Sequence, residues 1–386
     1  MFLHWLLIGG LSSFAMTPEQ VLKTAWSDSA FTSQDELRST NTTNPLRNVE
    51  AFASTEKEDN KNEYEVGLKF QFRSWPEWKI GEAPEASRKV LKDASLAWAL
   101  HERYLNLVSY EISRQKMAIL TSSLKLSEGY VKAQSLSLRA GRSSTKSFLG
   151  AQGDIYKLKR LENVVTQENR TAAKRIKSWV PTWTDDSIDG FDLLSVQEVA
   201  DSVGSIPLPQ TSLSARFSQT EFNDYSRELE ILRGREYQWI KGVNVSQSHK
   251  DEEIGYKVEL TIQLPGLGSD DLSRQKQNEL ILKKALKQKE VDDSKDSLLS
   301  LKNQIINLVG LYKMSSAGLK ESGKVKETDT LSSLENRLLQ QQGEMDLLSQ
   351  QQEILTLFVE YLLQSERLAT EPTKNHLSKS LKVVTL

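Results

Sequence analysis

The residues able to do chemistry are few and scattered. The 386-residue chain has no cysteine and only four histidines, which removes disulfides, thiolate metal sites, a cysteine nucleophile and a lipidated N-terminal cysteine. His101 falls on an apolar helical stripe, where it reads as a packed residue, and His249 lies in a polar connection, so the histidines have no metal-binding spacing. No glycine-rich phosphate loop, nucleophile elbow or carboxylate pair at useful spacing occurs. Nothing assembles a reactive centre, no cofactor is implied, and an enzyme is not expected. A formal net charge of −2 offers no case for nucleic acid as a partner.

The polar side chains that do have an ordered spacing sit on two short segments. Glu65, Lys69 and Gln71 alternate with Tyr64, Val66, Leu68, Phe70 and Phe72, while Lys257, Glu259 and Gln263 alternate with Tyr256, Val258, Leu260, Ile262 and Leu264. A period of two places the apolar set of each strand on one face and the polar set on the other. Nine residues also span a bilayer as a tilted strand, and an apolar-out, polar-in strand is what a water-filled membrane barrel requires. The apolar set is therefore expected to face lipid and the polar set a lumen, where the mixed signs define no simple ion preference. A soluble β-domain would instead bury the apolar faces in its own core, and the pattern alone leaves both open.

The elements that must hold these strands recur in the same order. β-Hairpins are expected over 46–72 and 241–264, with first strands Leu46–Ser54 and Lys241–Ser246 and hydrophilic connections Thr55–Glu63 and Gln247–Gly255 lying in water. Pro76 and Pro265 follow, and then helical hairpins over 82–178 and 270–368. The first runs out from Glu82 to Leu138, turns through Ala140–Thr145, and returns over Lys146–Ser178. Its heptad seam passes through Leu91, Ala94, Trp98, His101, Leu105, Val108, Ile112, Gln115, Ile119, Ser122 and Leu126. The second runs over Leu272–Ser322, with Val291, Leu298, Leu301, Ile305, Leu308 and Tyr312 in register, and returns over Thr328–Leu368 through Leu331, Leu334, Leu338, Met345, Leu348, Leu355, Val359 and Leu362, Gln341 and Gln352 filling the remaining seam positions. Only 9 prolines and 19 glycines accompany these long stretches, as suits few, long helices.

The expected fold class is thus α+β, with long antiparallel helical hairpins, four strands and an internal duplication: a first repeat over 16–192 and a second over 193–370. Residues 1–15 resemble a signal peptide, with an apolar core Phe2–Leu11 and the small-x-small site Ser13-Phe14-Ala15; a buried N-terminal helix is the alternative. Thr17–Arg38 is expected to be one modest helix. Trp179–Pro209 reads as an irregular connector with a short helix over Ser195–Val203, Thr211–Trp239 as a helix, and 371–386 as a polar tail without periodicity. Beyond residue 15 no apolar run approaches the roughly 20 residues of a spanning helix, so any membrane entry is by strands. Four strands do not close a barrel and open edges are not tolerated in lipid, so that reading requires several copies to combine. Trp75 and Trp78, flanking Pro76, suit either an interfacial aromatic belt or packing at the strand–helix junction.

This order of signal, short helix, strand pair and long helical hairpin, repeated once, resembles the TolC-type outer-membrane efflux protein family. The strand–proline junctions Val66–Pro76 and Val258–Gly268 and the glycine-containing turns at Arg139–Ser144 and Ser322–Lys326 carry the resemblance. It implies a homotrimer whose subunits share a twelve-stranded β-barrel in outer-membrane lipid and a coiled-coil helical tunnel in the periplasm. It further implies a passive conduit for efflux or type I secretion, served by a periplasmic adaptor and an inner-membrane pump. Matching Gly323 to the family's turn glycine places Asp329 where an acid narrows the tunnel entrance, with Ser332 where a second acid would fall; a helix cap is the alternative role for Asp329. Gly141, Arg142, Lys146, Gly323, Lys324 and Lys326 become candidates for adaptor contact at the tips, against ordinary solvated turn charges. Two features depart from the family. The segment Thr17–Asn44 is short beside its counterpart Leu193–Trp239, and the two strand-to-turn distances differ by about ten residues. A periplasmic coiled-coil scaffold or adaptor without a channel is the alternative function.

Overall fold

The computed structural model describes residues 16–36, 45–58, 61–80, 85–183, 188, 192–207, 212–250, 253–262, 264, 271–323, 330–379 and 383–385. The chain forms two units. A helical unit comprises Met1–Thr32, Asp93–Gln210 and Asp296–Leu386, and a sheet unit comprises Ser33–Lys92 and Thr211–Lys295.

The sheet unit is built on four antiparallel strands in sequential order: β1 (Leu46–Glu58), β2 (Lys61–Phe72), β3 (Ile240–Lys250) and β4 (Glu253–Ile262). The strands are longer than the side-chain pattern predicts. The expected loops Thr55–Glu63 and Gln247–Gly255 are mostly ladder, with Thr55 opposite Tyr64 and Gln247 opposite Tyr256, and only 59–60 and 251–252 lie outside the described residues. The reason is that inter-strand hydrogen bonds join backbone groups whatever the side chains are, so polar residues on an exposed ladder do not end it.

A short helix, α3 (Trp75–Ile80), which the alternation does not announce, packs on α7 (Leu213–Glu236). Gly234 makes the approach possible: a Cβ there would stand 2.5 Å from Pro76 Cγ.

The helical unit begins with three short pieces in place of the single helix expected over Thr17–Arg38: α1 (Pro18–Lys23), a 3₁₀ turn over Thr24–Ser27, and α2 (Ser29–Glu36). Asp28 takes an extended backbone and its carboxylate accepts from the Ala30 N–H, which ends one piece and starts the next. The long helices match expectation within a few residues: α4 (Glu85–Arg139), α5 (Thr145–Trp179), α8 (Asp271–Ser322) and α9 (Thr330–Gln364). Ser195 caps α6 (Val196–Ser205), the short helix of the connector, in a reciprocal exchange with Glu198.

The α4 seam differs from the one expected. Trp98 is 60% exposed, and from Ser113 onward the deepest stripe runs through Ser113, Lys116, Leu120, Ser123, Ser127 and Gln134, one residue beyond the predicted positions. Here α4 packs against both α5 and α9, so the centre of its buried arc turns away from a stripe drawn for one partner. Leu120, Val165 and Met345 meet at the apolar middle. Around them the contacts are polar: Lys116 donates to Gln352 at 2.7 Å, Ser123 to Gln341 at 2.8 Å, and Asn169 to Ser113 at 3.0 Å. His101, read as packed core, is half-covered and joins Glu360 at 2.9 Å.

α9 stops short of Leu368. Glu366 adopts φ 62, in the left-handed region, before α10 (Arg367–Thr370). The segment that follows, read as a polar tail, is packed: Asn375, Leu377, Ser378 and Val384 are each at most 3% exposed. Its polar atoms find partners that no local pattern reveals. The Tyr104 hydroxyl donates to the Lys374 carbonyl and accepts from the His376 N–H, and Asn375 donates to Glu19. Burial drives the Tyr104 phenol far above its ordinary pKa, so it serves here as a neutral hydroxyl.

One buried cation organises the same end of the unit. Arg103 is 1% exposed; it donates to the Ala99 carbonyl, to Thr24 Oγ1 and to Asp28 Oδ2 at 2.8 Å, and its guanidinium lies 4.7 Å from the Trp179 ring centroid. Arg103→Met removes the charge but keeps much of the volume, leaving Asp28 unpaired. It should destabilise the protein by about 3 kcal/mol or more, read as a lowered urea midpoint, whereas Trp98→Phe at the exposed position should change it by less than about 0.5 kcal/mol.

Candidate channel-forming surface

Register brings the apolar strand residues together. Val49, Ala51 and Ala53 of β1 stand opposite Phe70, Leu68 and Val66 of β2, and those stand opposite Val243, Val245 and Gln247 of β3. Val243, Val245 and Gln247 in turn face Leu260, Val258 and Tyr256 of β4. One face of the sheet is thus apolar across all four strands, becoming more polar toward the hairpin ends at His249 and Gln247. The opposite face carries Glu50, Ser54, Glu65, Lys69, Gln71, Asn244, Ser246, Lys257 and Glu259.

On the two central strands exposure is inverted relative to a soluble domain. On the central strands Tyr64, Val66, Leu68 and Val245 are exposed, whereas Glu65, Gln71, Asn244 and Ser248 are half-covered, Ser246 is buried and Lys69 is exposed; on the outer strands the polar residues Glu50, Ser54, Lys257 and Glu259 are exposed as well. On β4 the expected lipid-facing residues Tyr256, Val258, Leu260, Ile262 and the adjoining Leu264 are all 51–79% exposed, and Phe70 and Phe72 are half-covered. The polar groups satisfy one another instead. Glu65 accepts from Ser246 and, at 3.5 Å, from Ser54, and Lys257 pairs with Glu259 at 2.5 Å. Phe52 is the aromatic on this polar face, and it covers Gly67: a Cβ there would lie 2.7 Å from both the Phe52 ring and the Val245 carbonyl. Gln263, read as a lumen residue, lies outside the described residues.

The junction at the opposite end of the strands from the hairpin turns holds a group that spacing arguments miss. Glu77 of α3 is buried and accepts from two arginines, Arg47 of β1 through Nε at 3.2 Å and Nη2 at 2.6 Å, and Arg235 near the end of α7 through Nε at 3.2 Å and Nη2 at 2.8 Å. The Ser74 N–H adds a weaker contact at 3.4 Å. The partners are 30 and 158 residues away, beyond the reach of any local pattern. A carboxylate inside the tryptophan-flanked segment Trp75-Pro76-Glu77-Trp78 was the only available signal.

The helical hairpin turns are ordinary in construction. Gly141, at φ 67, and the Arg142 N–H close α4 through the carbonyls of Leu138 and Ser137, and Ser144 caps α5 through the Ser147 N–H. Arg142 and Lys146 are exposed beside this turn. Gly323 caps α8 on the Leu319 carbonyl. Lys324, Lys326 and Asp329 lie outside the described residues. No helix among the described residues is long and apolar enough to cross a membrane, and no metal-holding group of side chains occurs among them.

No family model matches the sequence, and no curated protein does. Solved structures do match in fold. The outer membrane protein VceC of Vibrio cholerae aligns over 90% of this chain and 96% of its own at 11% identity, TM-score 0.57. The outer-membrane channel OprN aligns over 90% and 89% at 13% identity, TM-score 0.57, and the CmeC outer membrane channel of Campylobacter jejuni over 90% and 84% at 11%, TM-score 0.57. The chain therefore has the fold of solved outer-membrane channels, as its resemblance to the TolC-type family leads one to expect.

The Glu77 clamp has a pH signature. Burial pushes the carboxyl up, but the hydrogen bonds and charges of Arg235 and Arg47 outweigh it and hold the pKa at about 2 against an ordinary 4.5. A depressed folded-state pKa adds stability above pH 4.5 that disappears as pH falls from there toward 2. Glu77→Gln should lower stability at neutral pH by about 3 kcal/mol and flatten this acid limb, as measured by unfolding midpoints from pH 7 down to 2.5.

Proposed function

We propose that this chain is one subunit of a homotrimeric outer-membrane channel, a passive, non-enzymatic conduit from periplasm to exterior. The observation that carries the proposal is the sheet's uncovered apolar face, exposed on all four strands while Glu65, Gln71, Asn244 and Ser246 on the central strands are covered, the arrangement of a strand set with hydrocarbon outside and water inside. Tyr64 to Phe72 spans roughly 26 Å at about 3.3 Å per residue, against the ~25 Å apolar band of outer-membrane barrels.

Closure follows from the edges. β1 and β4 each leave one side of their backbone unpaired within the chain, and unpaired backbone groups are not tolerated in lipid. Alternating strand direction lets β4 of one copy meet β1 of the next antiparallel, so three copies give a closed twelve-stranded barrel lined by Glu65, Lys69, Gln71, Lys257 and Glu259. The recurrence of two strands followed by a long helical hairpin supports an internal duplication. In this reading residues 1–15 direct export, the helical hairpins form a periplasmic tunnel, and their turns at Gly141 and Gly323 meet an adaptor linked to an inner-membrane pump. Asp329 is the candidate gate at the tunnel mouth, and type I secretion is the alternative use of the same conduit.

The test is oligomeric mass in detergent followed by planar-bilayer recording. A detergent-dependent particle of three chains that conducts is expected; a water-soluble monomer needing no detergent overturns the channel and leaves a periplasmic scaffold. Within the trimer, Leu68→Lys at mid-height on the apolar face should cost about 2–4 kcal/mol of stability in lipid. Lys69→Gln on the neighbouring polar position should leave stability within about 0.5 kcal/mol and change the conductance.

A further inference from the structure

At the C-terminal end of α9 the helical unit holds a cavity of about 380 Å3, enclosed by α6, α9, α10 and the segment after Glu371. That volume lies within the range of small-molecule sites. The walls are joined by backbone: the Leu194 N–H donates to the Leu377 carbonyl at 3.0 Å, and Leu193 pairs with Ser378 across an antiparallel bridge. Phe358 and Leu362 of α9, with Leu194, give the cavity an apolar floor.

The rim around that floor has a sign. Arg367 is turned to Glu371, with Nη1 2.9 Å from Oε1, and Lys379 stands 3.8 Å from Glu198 and 4.0 Å from Asp192. Both lining cations are therefore engaged. His376 adds no positive charge: burial holds its imidazole below the ordinary range, and its Nε2 lies 3.1 Å from the Glu371 carbonyl oxygen. Three carboxylates, Glu198, Asp201 and Glu371, thus line the cavity against two cations. Asp201 is the one in excess. Gln197 donates to its Oδ1 at 2.8 Å, and its Oδ2 has no partner among the described residues.

The backbone contributes the same sign. Ser202, Ser205 and Ile206 bring the C-terminal end of α6 to the cavity, where the last carbonyls of a helix carry partial negative charge. α6 has no basic residue in its last turn, and none follows in Ile206-Pro207-Leu208-Pro209-Gln210. An unpaired carboxylate oxygen and an uncompensated helix end beside an aromatic floor select for positive charge on an apolar body. An anion would meet negative charge already in excess. A hydrated inorganic cation would leave the apolar floor unused.

We infer that this cavity binds an organic cation, an ammonium group carried on an aromatic or branched apolar body. The ammonium sits at Asp201 and the end of α6, and the apolar part lies on Phe358 and Leu362. The site uses no residue of the sheet or of the hairpin turns, so it stands apart from the channel reading. Its occupant touches α6, α9 and the segment after Glu371 together, and so braces the segment whose Lys374 and His376 meet Tyr104.

The experiment is equilibrium dialysis of radiolabelled benzyltrimethylammonium against the full chain in detergent micelles, with empty micelles as the blank. Saturable binding of one cation per chain is expected, with benzoate and benzyl alcohol competing poorly. Asp201→Asn, at an exposed position, should weaken binding about fivefold. Ser205→Lys, also exposed, should abolish binding and leave the unfolding temperature unchanged or higher, because a cation suits a helix C-terminus. The bound cation should raise the unfolding temperature of the wild type. Uptake that does not saturate, or that is equal in wild type and both variants, overturns the site. Competition by benzyl alcohol as strong as by unlabelled benzyltrimethylammonium overturns the charge selection and leaves a merely apolar cavity. Conductance enters none of these readouts, so failure of the channel reading and failure of the site are told apart.

Discussion

Everything in the sheet unit turns on where backbone hydrogen bonds can be made. Within one chain the ladder is complete between neighbours and open at β1 and β4, while the face that would normally draw a covering layer is exposed on all four strands. A water-soluble protein resolves such a sheet by laying helices on its apolar side. Here the apolar residues stay uncovered, and the polar side chains satisfy one another across Glu65, Ser246, Ser54, Lys257 and Glu259. The proposed closure with further copies inside hydrocarbon would answer both the open edges and the bare face.

Such a sheet needs a firm joint where strand becomes helix, and apolar packing alone does not supply it. The joint uses a carboxylate with two guanidinium forks, a costly arrangement unless every donor is used. Four arginine contacts and a backbone N–H meet that condition at Glu77. The directionality of those bonds sets the rotation of α3 about its own axis, which packing of a six-residue helix against Gly234 would leave loose. Arg103 does the same in the helical unit, where one guanidinium gathers the 3₁₀ turn, α4 and the indole of Trp179.

What the sequence revealed and what it concealed divide along the range of the interaction. Alternation over Tyr64–Phe72 and Tyr256–Leu264 located two strands and their faces, and heptads with Gly141 and Gly323 located the long helices, because those signals repeat within a few residues. Strand ends were misjudged because the ladder ignores side-chain polarity, so charged residues from Thr55 and Gln247 onward stayed in strand. The α4 seam was drawn one residue off because apolar spacing does not report that two helices share its contact arc. Glu77, Arg47, Arg235 and the packed residues after Glu371 were invisible, since their partners lie far off in the chain and most of these residues are polar, with Leu377 and Val384 too isolated to make a period. The tip charges Lys324, Lys326 and Asp329 fall beyond the described residues, so their reading still rests on the resemblance alone.

The packing of Asn375, Leu377 and Val384 bears on how the helical unit closes. Asn375 bonds to Glu19, 356 positions earlier, and Lys374 and His376 meet Tyr104 across about 270. These contacts close the helical unit by joining segments that lie far apart in the chain. Contacts of such separation carry a large loop-closure cost and form late. Until they form, α1 and the stretch of α4 around Tyr104 lack the segment that covers them, and the Tyr104 hydroxyl gains its two backbone partners only when the segment around His376 docks.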